Sequence, residues 1–337
     1  MLAKGIPNAK RPTMDEDISP LQPTDEVLKF FALLQESGAP PFTDLSIEEA
    51  RTAYREQSGI FGGPLIEMAT VANIVAQGSA GPIPLRHYRP HGLASGPAPA
   101  LIYSHGGGWV IGDLDSHDRI CRQLAHHAGC AVVAIDYRRA PEHPAPASSV
   151  DVIAALRWIV AHASTLDIDP ERLAVGGDSA GGCLSAVAAI AARDAGFAMR
   201  CQILIYPGID NRNSAWDYPS RIRNADMPPL TRAMMEYFLN AYLPDDMIAS
   251  DWRVSPIVVE EMAGLCPALV ITAGLDVLHD EAVLYADRLE QAGVDVVRRN
   301  FPGMIHGFIE LATILPETIE ALDVIALTLR QRLAGHI

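Results

Sequence analysis

The sequence is poor in cysteine and has no long apolar run. Its five cysteines lie far apart among 337 residues and form no C-x-x-C pair. An odd number at such spacing favours neither a disulfide framework nor a zinc site, and it suits a reducing cytosol. An uncharged stretch of mostly small or apolar residues runs from Gly181 to about Ala192, short of the roughly 18 residues that suggest a membrane span. Residues 1–20 carry no apolar run of signal-peptide length, so we expect a cytoplasmic protein without an export signal or a stable membrane association.

Basic residues are scarce relative to acidic ones. The chain has 26 Lys and Arg against 41 Asp and Glu, which gives a formal charge of -15. Such a balance repels phosphate backbones and anionic lipid headgroups, so we expect no nucleic-acid partner. Hydrophobic residues make up 49% of the chain, and its proline and glycine are scattered. This composition supports a large core and excludes disordered and collagen-like proteins.

Short apolar segments alternate with helical patterns from about residue 67 onward. Continuous apolar runs predict strands that are buried on both faces, and the helices between them predict a mostly parallel sheet of the α/β class. The predicted strands are 68–76, 82–89, 99–104, 130–136, 172–178, 201–206, 267–273 and 294–300. The predicted helices between and after them are 115–128, 147–163, 180–194, 279–292 and 314–334.

Two regions lie outside this alternation. Before it, Thr24 can cap one helix, and Ser46 with Glu49 forms the capping box of a second. Neither of these helices carries obvious chemistry. Later, residues from about 209 to 256 form an insertion whose helix is rich in methionine and aromatic residues. The insertion could cover the active face as a lid, or its side chains could only pack on the body of the domain.

The pentapeptide GDSAG at 177–181 matches the pattern G-x-S-x-G. The apolar run 173–175 precedes it, and a helix of small residues follows from Ala180. This strand, turn and helix are the setting of a nucleophile elbow, in which glycines permit a tight turn. We therefore predict that Ser179 stands at the tip of the turn with its hydroxyl exposed.

Three consecutive glycines follow another strand in the motif HGGGW at 105–109. Glycines leave backbone N–H groups uncovered, and an acyl-transfer enzyme needs such donors where the carbonyl oxygen becomes an oxyanion. A further donor would be the N–H of Ala180, directly after the nucleophile. A glycine-rich loop can also bind phosphate, but neither G-x-x-x-x-G-K-[ST] nor G-x-G-x-x-G fits here.

A serine hydroxyl is a poor nucleophile at neutral pH, so it needs a base, and the base needs an acid that holds its tautomer. Among eleven histidines, His306 is the best candidate because it follows the last predicted strand in a glycine-flanked loop. Asp276 follows the strand 267–273 at the carboxyl edge, where parallel sheets place function. The order Ser179, Asp276, His306 is that of α/β-hydrolases.

Three nearby titratable residues receive other interpretations. We interpret His105 as a residue that orients its loop, because the neighbouring glycines leave it little freedom to act on Ser179. Asp280 and Glu281 compete with Asp276 for the role of the acid. They begin the next predicted helix, however, where the helix dipole alone explains acidic residues.

Five motifs in this order resemble the hormone-sensitive-lipase-like branch of the α/β-hydrolases, the bacterial family IV carboxylesterases. They are HGGGW at 105–109, DYRRAPEHPAPA at 136–147, GDSAGG at 177–182, LDVLHDE at 275–281 and PGMIHGF at 302–308. The resemblance implies an α/β-hydrolase domain over 61–337 with a mostly parallel eight-stranded sheet. It implies a helical cap built from 1–60 and from the insertion at about 209–256. It also implies hydrolysis of short- to medium-chain acyl esters, with a small-molecule ester as substrate.

Carried over by motif, the resemblance makes Ser179 the nucleophile, Asp276 the acid and His306 the base. The implied oxyanion hole consists of the backbone N–H groups of Gly107, Gly108 and Ala180. Such an acyl transfer needs no metal and no organic cofactor. The candidate residues for the wall of the substrate pocket are Trp109, Tyr206, Met234, Phe238 and Phe308.

The resemblance carries two structural expectations and one departure. It implies that Arg138 and Glu142 form an ion pair that supports the loops, and that a homodimer forms through the edge strand near 294–300. The family often has DPLRD where this chain has DVLHD at 276–280. The loop therefore loses a proline that restricts φ and gains a titratable histidine.

Other functions stay open from the sequence. An amidase or peptidase could use the same three residues. A true lipase would need an exposed apolar docking surface, which residue spacing does not reveal. A ligand-binding receptor on this fold is a further alternative, but such receptors lose the catalytic histidine, whereas His306 is present here.

Overall fold

The computed structural model describes residues 21–334, so the first 20 residues of the predicted segment 1–60 lie outside the described part. Within that range, eight strands are present, each within a few residues of its prediction. They are β1 (Thr70–Gly78), β2 (Gly81–Arg89), β3 (Ala98–Ser104), β4 (Ala131–Ile135), β5 (Ile168–Asp178), β6 (Met199–Ile205), β7 (Ala268–Leu275) and β8 (Val296–Ile305). They form one sheet in the order β1-β2-β4-β3-β5-β6-β7-β8.

The sheet is mostly parallel, as predicted. Only β2 runs against its neighbours, pairing antiparallel with β1 and β4. The strands from β4 across to β8 all pair in parallel. Their carboxyl ends therefore meet at one edge, and the loops that carry the predicted chemistry follow β3, β5, β7 and β8 there.

Nine α-helices lie within the described residues. They are α1 (Asp25–Ser37), α2 (Ile47–Phe61), α3 (Asp118–Ala128), α4 (Ala147–Ala161), α5 (Ala180–Ala195), α6 (Pro219–Arg223), α7 (Arg232–Tyr242), α8 (His279–Gln291) and α9 (Pro316–Arg332). Successive side chains of a strand point to opposite faces of the sheet, so β3 contributes side chains to the hydrophobic core on each face. Leu101 packs with α1, α3 and α9 on one face, while Ile102 packs with α4 and α5 on the other. The third cluster joins α5 and α8.

The prediction that the strands are buried on both faces is wrong for β1 and β8. Most residues of β1 are exposed, and Val297 to Asn300 in β8 are exposed as well. Each of these strands has a neighbour on one side only, and it lies at the margin of the helical layers. The inner strands β4 and β7 are buried throughout, as expected.

The N-terminal helices begin as the sequence predicts. Thr24 accepts a hydrogen bond from the N–H of Val27 at the start of α1, and both bonds of the capping box of α2 are present between Ser46 and Glu49. In the insertion, α7 is present, and the short helix α6 was not predicted. The division into 1–60 and 61–337, with a cap insertion at about 209–256, stays a prediction.

Within the described residues, the fold is constrained neither by a disulfide bond nor by a membrane-spanning helix. All five cysteines are free thiols. Across residues 21–334, none of the helices combines the length and the apolar content needed to cross a bilayer.

Candidate active site

Ser179 stands in the turn between β5 and α5. Its backbone has φ 55° and ψ -121°, a conformation that costs energy for a residue with a side chain and persists where the surroundings enforce it. A Cβ at Gly177 or at Gly181 would overlap the carbonyl oxygen of Ser104. The glycines of GDSAG are therefore required by the close approach of β3 to this turn.

Ser179, His306 and Asp276 are joined by hydrogen bonds. The Nε2 atom of His306 lies 2.8 Å from the Ser179 hydroxyl oxygen, and its Nδ1 atom lies 2.7 Å from Oδ2 of Asp276. The other oxygen of Asp276 accepts from the N–H of Leu278 at 2.9 Å. Asn224 of the insertion donates to the Asp276 carbonyl at 2.9 Å. The loop that lacks the family proline is thus held by hydrogen bonds.

The surroundings of His306 set its charge state. Burial disfavours the charged ring, but the negative charge of Asp276 and the hydrogen bond to it outweigh burial and raise the pKa of His306 above its ordinary value. The Tyr206 ring packs against the imidazole, with 4.7 Å between the ring centroids. An imidazole held between a hydroxyl and a carboxylate in this way can accept a proton from the hydroxyl.

The loop after β3 is strongly bent. Gly107 and Gly108 have φ of 106° and 59°, and Trp109 continues the run at 61°. The carbonyl of Gly107 accepts from the N–H groups of Val110 at 3.1 Å and Ile111 at 2.9 Å. Ala180 is the first residue of α5, so its N–H is one of those that no bond within the helix uses.

His105 is a buried neutral residue in this loop. Burial, with a contribution from nearby His117, lowers the pKa of His105 to about 3. Its ring stacks on Tyr137 with 4.1 Å between centroids, and the Tyr137 hydroxyl donates to the His105 carbonyl at 2.8 Å. This geometry agrees with an orienting role in the loop.

A cleft opens above Ser179 and His306, and its wall is mostly apolar. With the open solvent at its mouth included, the space is about 970 Å³. Of the predicted wall residues, Trp109, Met234 and Phe238 line it. Tyr206 and Phe308 do not line the cleft, which corrects that part of the prediction. Both are almost completely buried and pack on each other, with 5.7 Å between ring centroids.

The N-terminal helices contribute much of the cleft wall. The resemblance implies that they belong to a cap, but none of their wall residues was predicted. The wall residues of α1, of the short 3-10 helix after it and of α2 are Phe30, Phe42, Tyr54, Gln57, Ser58 and Phe61. The helical spacing of Tyr54, Ser58 and Phe61 was available as a signal that α2 turns one face inward. The spacing could not reveal whether this inward face contacts the substrate cleft or the hydrophobic core.

A family model described as the alpha/beta hydrolase fold matches residues 101–310, more than half of the chain. The chain is an α/β-hydrolase. Its five motifs place it in the hormone-sensitive-lipase-like, family IV branch. "Carboxylic ester hydrolase LipN" of Mycobacterium tuberculosis is 41% identical over 80% of this chain and 72% of that protein. "Ethyl acetate hydrolase" of Pseudomonas putida is 38% identical over 87% and 92%.

Solved structures of esterases resemble this α/β-hydrolase closely. An ester-hydrolase from the metagenome of Lake Arreo, complexed with a bipyridine phosphonate derivative, is 42% identical with a TM-score of 0.87, and the match covers 92% of this chain and 99% of that one. A hyperthermophilic esterase from Pyrobaculum calidifontis is 35% identical with a TM-score of 0.85, covering 93% and 100%.

The α/β-hydrolase also has a buried cluster of titratable groups that the sequence did not predict. Donor atoms of His117, Asp178 and Glu310 lie within 4.8 Å of one another. Their atoms already have partners: Tyr103 donates to Asp178 and Tyr54 to Glu310, both at 2.7 Å, and the Gly106 N–H donates to His117 at 3.2 Å. The three residues therefore form a hydrogen-bond network rather than an open metal site.

Glu310 is the member of this cluster that lines the cleft. Burial raises the pKa of its carboxyl to about 7, although the nearby His117 acts in the opposite direction. A carboxyl group that titrates near neutral pH thus lies in the wall beside His306.

The predicted ion pair between Arg138 and Glu142 is wrong. Arg138 makes two hydrogen bonds of 2.8 Å to the carboxylate of Asp151. Glu142 pairs instead with Arg51 of α2, at 2.7 Å. The sequence could not reveal this partner, because Arg51 lies 91 positions away in the chain.

Asp280 and Glu281 do more than interact with the dipole of α8, although the sequence pattern indicates that interaction as the full explanation for acidic residues at this position. The Asp280 carboxylate accepts from the N–H of Ser220 at 2.8 Å. Glu281 is fully buried, binds Arg221 of α6 at 2.6 Å, and accepts from the N–H of Ile209 at 2.8 Å. The start of α8 therefore anchors the insertion to the body of the α/β-hydrolase.

Proposed function

We propose that the chain is a serine carboxylesterase that hydrolyses short- to medium-chain acyl esters through an acyl-enzyme intermediate. The coarser statement, that the chain is a carboxylic ester hydrolase, follows from its family and from the names of its relatives. The observation that carries the serine mechanism is the hydrogen-bonded series from Asp276 through His306 to Ser179.

The first half of the reaction forms the acyl-enzyme. The Ser179 oxygen attacks the ester carbonyl carbon while Nε2 of His306 takes the hydroxyl proton, and Asp276 stabilises the resulting imidazolium. As the tetrahedral intermediate collapses, the bond to the alcohol oxygen breaks. The alcohol leaves with the proton that His306 returns.

The negative charge on the carbonyl oxygen needs donors that are in place before the reaction. We assign this role to the N–H groups of Gly107, Gly108 and Ala180. The positive φ of both glycines and the position of Ala180 at the start of α5 support the assignment.

The second half of the reaction releases the acid. A water molecule loses a proton to His306 and attacks the acyl carbonyl carbon, and the bond to the Ser179 oxygen breaks as His306 returns the proton. Atoms and charge balance over the two halves with this chain's own residues and one water molecule.

The preference for short and medium acyl chains rests on the cleft. Side chains of α2 and α7 enclose the space above Ser179, and its wall is mostly apolar. Such a space supports binding of a small apolar acyl group.

The five free cysteines support the proposed location in the cytoplasm.

A series of p-nitrophenyl esters from acetate to palmitate tests the proposal. We expect hydrolysis of the short esters, weak turnover beyond about ten acyl carbons, and loss of activity in Ser179→Ala. Strong turnover of palmitate would favour a lipase. Turnover of a matched amide at a rate equal to that of the ester would favour an amidase, and no turnover of either would favour a binding protein.

A further inference from the structure

Arg51 is a buried cation that no step of the proposed reaction uses. It lies in α2, and only 6% of the residue is exposed. A buried guanidinium needs partners for its five N–H donors, because each unpaired donor or charge is costly. The partners of Arg51 therefore indicate what α2 is tied to.

All five donors of Arg51 have acceptors. Nε donates to the Val110 carbonyl at 2.9 Å, and Nη2 donates to the Ala140 carbonyl at 3.0 Å. The remaining three N–H groups reach carboxylate oxygens of Glu48 and Glu142 at 2.7 to 2.8 Å. The guanidinium thus joins one helix to two loops that are distant in the sequence.

The two carbonyl contacts are the specific ones. The side chains of Glu48 and Glu142 are 77% and 50% exposed, and ion pairs with such exposed partners contribute little. The bonds to Val110 and Ala140 are buried. They fix the positions of the two backbone segments relative to α2, since buried carbonyl groups must keep a donor.

Val110 lies in the bent loop that carries Gly107 and Gly108, and Ala140 lies in the loop after β4, which is hydrogen-bonded to that bent loop. The N–H of Val110 donates to the Gly107 carbonyl at 3.1 Å, and the N–H of Ala140 donates to the Trp109 carbonyl at 2.9 Å. Val110 and Ala140 thus donate through their N–H groups to the glycine loop, and Arg51 binds the carbonyl groups of the same two residues. The positive φ of Trp109 is unfavourable for a residue with a side chain, so the turn needs such restraint.

The same face of α2 also lines the cleft. Tyr54, Ser58 and Phe61 follow Arg51 at intervals of three, seven and ten positions, which places all four residues along one side of the helix. The last three of them line the cleft. One helix face thus contacts both the substrate space and the support of the glycine loop.

We propose that Arg51 is a positioning residue for the oxyanion hole: its guanidinium holds the turn after Gly107 and Gly108 so that their N–H groups are aimed at the substrate carbonyl oxygen. The inference rests on the proposed serine mechanism. It makes the N-terminal helix part of the catalytic support, although no atom of Arg51 needs to touch the substrate.

The variant Arg51→Met tests this, because methionine fills much of the same space without any donor. We expect kcat on p-nitrophenyl butyrate to fall by about tenfold to a hundredfold, as for other small misplacements of catalytic groups. KM is expected to stay within about twofold, since donors that act on the transition state affect kcat most. Labelling of Ser179 by a fluorophosphonate should slow in parallel.

Arg138→Met is the matched control. Arg138 belongs to the same loop as Ala140 and also loses a bidentate partner, Asp151, but it does not contact the glycine turn. We expect this variant to change kcat by less than about twofold. An equal loss of kcat in both variants, or wild-type kcat in folded Arg51→Met, would overturn the proposal.

A second pair of measurements decides the question if Arg51→Met does not fold. Arg51→Lys keeps the charge, but its donors leave from one nitrogen and cannot match the fork of a guanidinium, so we expect a smaller but clear loss of kcat. In Arg51→Ala, guanidinium chloride should restore activity where sodium chloride of the same ionic strength does not. Wild-type kcat in Arg51→Lys contradicts the proposal. Absence of ester hydrolysis in the wild type would instead contradict the proposed function.

Discussion

The imidazole of His306 is buried between a carboxylate and a hydroxyl, and its proton decides whether Ser179 can react. Only the neutral ring can accept the serine proton. Burial disfavours the charged ring, but Asp276 outweighs it and raises the pKa of His306 above its ordinary value. The wild-type rate should therefore rise with pH through that raised pKa and level off at neutral to mildly alkaline pH.

Asp276→Asn should change both the rate and its pH dependence. The amide removes the negative charge, so burial is opposed only by the charges of Asp178 and Glu310 and the pKa of His306 falls. We expect kcat to drop by about 10⁴-fold, as in other triads that lose the acid, and the acid limb of kcat/KM to move to lower pH. A pH series on both proteins measures this, and an acid limb that stays in place would contradict the assigned role of Asp276.

Glu310 should make the rate depend on pH in a second way. Its carboxyl has a pKa of about 7 and lies beside His306, so the charge is absent at about pH 6 and present at about pH 8. Above its pKa the carboxylate stabilises the imidazolium that forms during attack. We expect the ratio of wild-type kcat to that of Glu310→Gln to rise from about one at the lower pH to about threefold at the higher.

Tyr54→Phe is the control for Glu310. It removes the hydrogen bond of 2.7 Å to the carboxyl group but keeps the carboxyl group itself. A ratio for Glu310→Gln that is the same at all pH values, or a Tyr54→Phe profile identical to that of Glu310→Gln, would exclude a role for the charge.

Single residues could be predicted where the signal is local. Ser179 and His306 are marked by their own neighbouring glycines and strands. Glu310 and Arg51 are not, because their partners lie 256 and up to 91 positions away. The error over Glu142 has the same cause: Arg138 is near it in the sequence, but its guanidinium reaches Asp151 of α4.

At the scale of elements, the insertion is anchored to α8 by a buried ion pair. Arg221 and Glu281 have no exposed side-chain surface, and burial raises the pKa of Glu281 to about 7 even though the charge of Arg221 acts against this. The pair also fixes the backbone of Asp210, whose carbonyl accepts from Arg221 at 2.6 Å. The insertion therefore depends on this contact for its position.

Glu281→Gln should destabilise the fold, because it leaves the guanidinium of Arg221 buried without a counter-charge. We expect a loss of about 3–5 kcal/mol in the free energy of unfolding, measured by urea or thermal denaturation. Arg232→Gln breaks an exposed pair with Glu236 and should cost less than about 0.5 kcal/mol. Equal effects of the two variants would contradict this account of the insertion.

Elements were predicted best where the apolar period is strong. The inner strands and the helices between them follow from continuous apolar runs and capping residues. The prediction of burial was wrong for β1 and β8, because the residues of a strand do not reveal whether it lies at the edge of the sheet. The residues of α1 and α2 that line the cleft were not predicted, because an apolar helix face has the same pattern whether it contacts a core or a substrate.

At the scale of the whole molecule, β8 leaves one edge of the sheet without a neighbouring strand. Val297 on this strand is 41% exposed, and unpaired strand edges are templates for pairing with another chain. We propose that two copies pair through this edge near 294–300.

Sedimentation velocity tests the dimer. We expect the wild type to sediment as a dimer, and Val297→Asp to shift the population towards monomer, because two carboxylates would face each other across the edge. The exposed Val75 of β1, at the opposite edge of the sheet, offers a control, Val75→Asp. A wild type that is monomeric at all concentrations contradicts the proposal.

The central claim is that Ser179 is the residue that becomes acylated. The most direct measurement is reaction with a fluorophosphonate, whose tetrahedral phosphorus resembles the intermediate, followed by peptide mass spectrometry. The account predicts one label per chain on the peptide that contains Ser179, with no label in Ser179→Ala and much slower labelling in His306→Ala. A label on another residue, or undiminished labelling of Ser179→Ala, would contradict it.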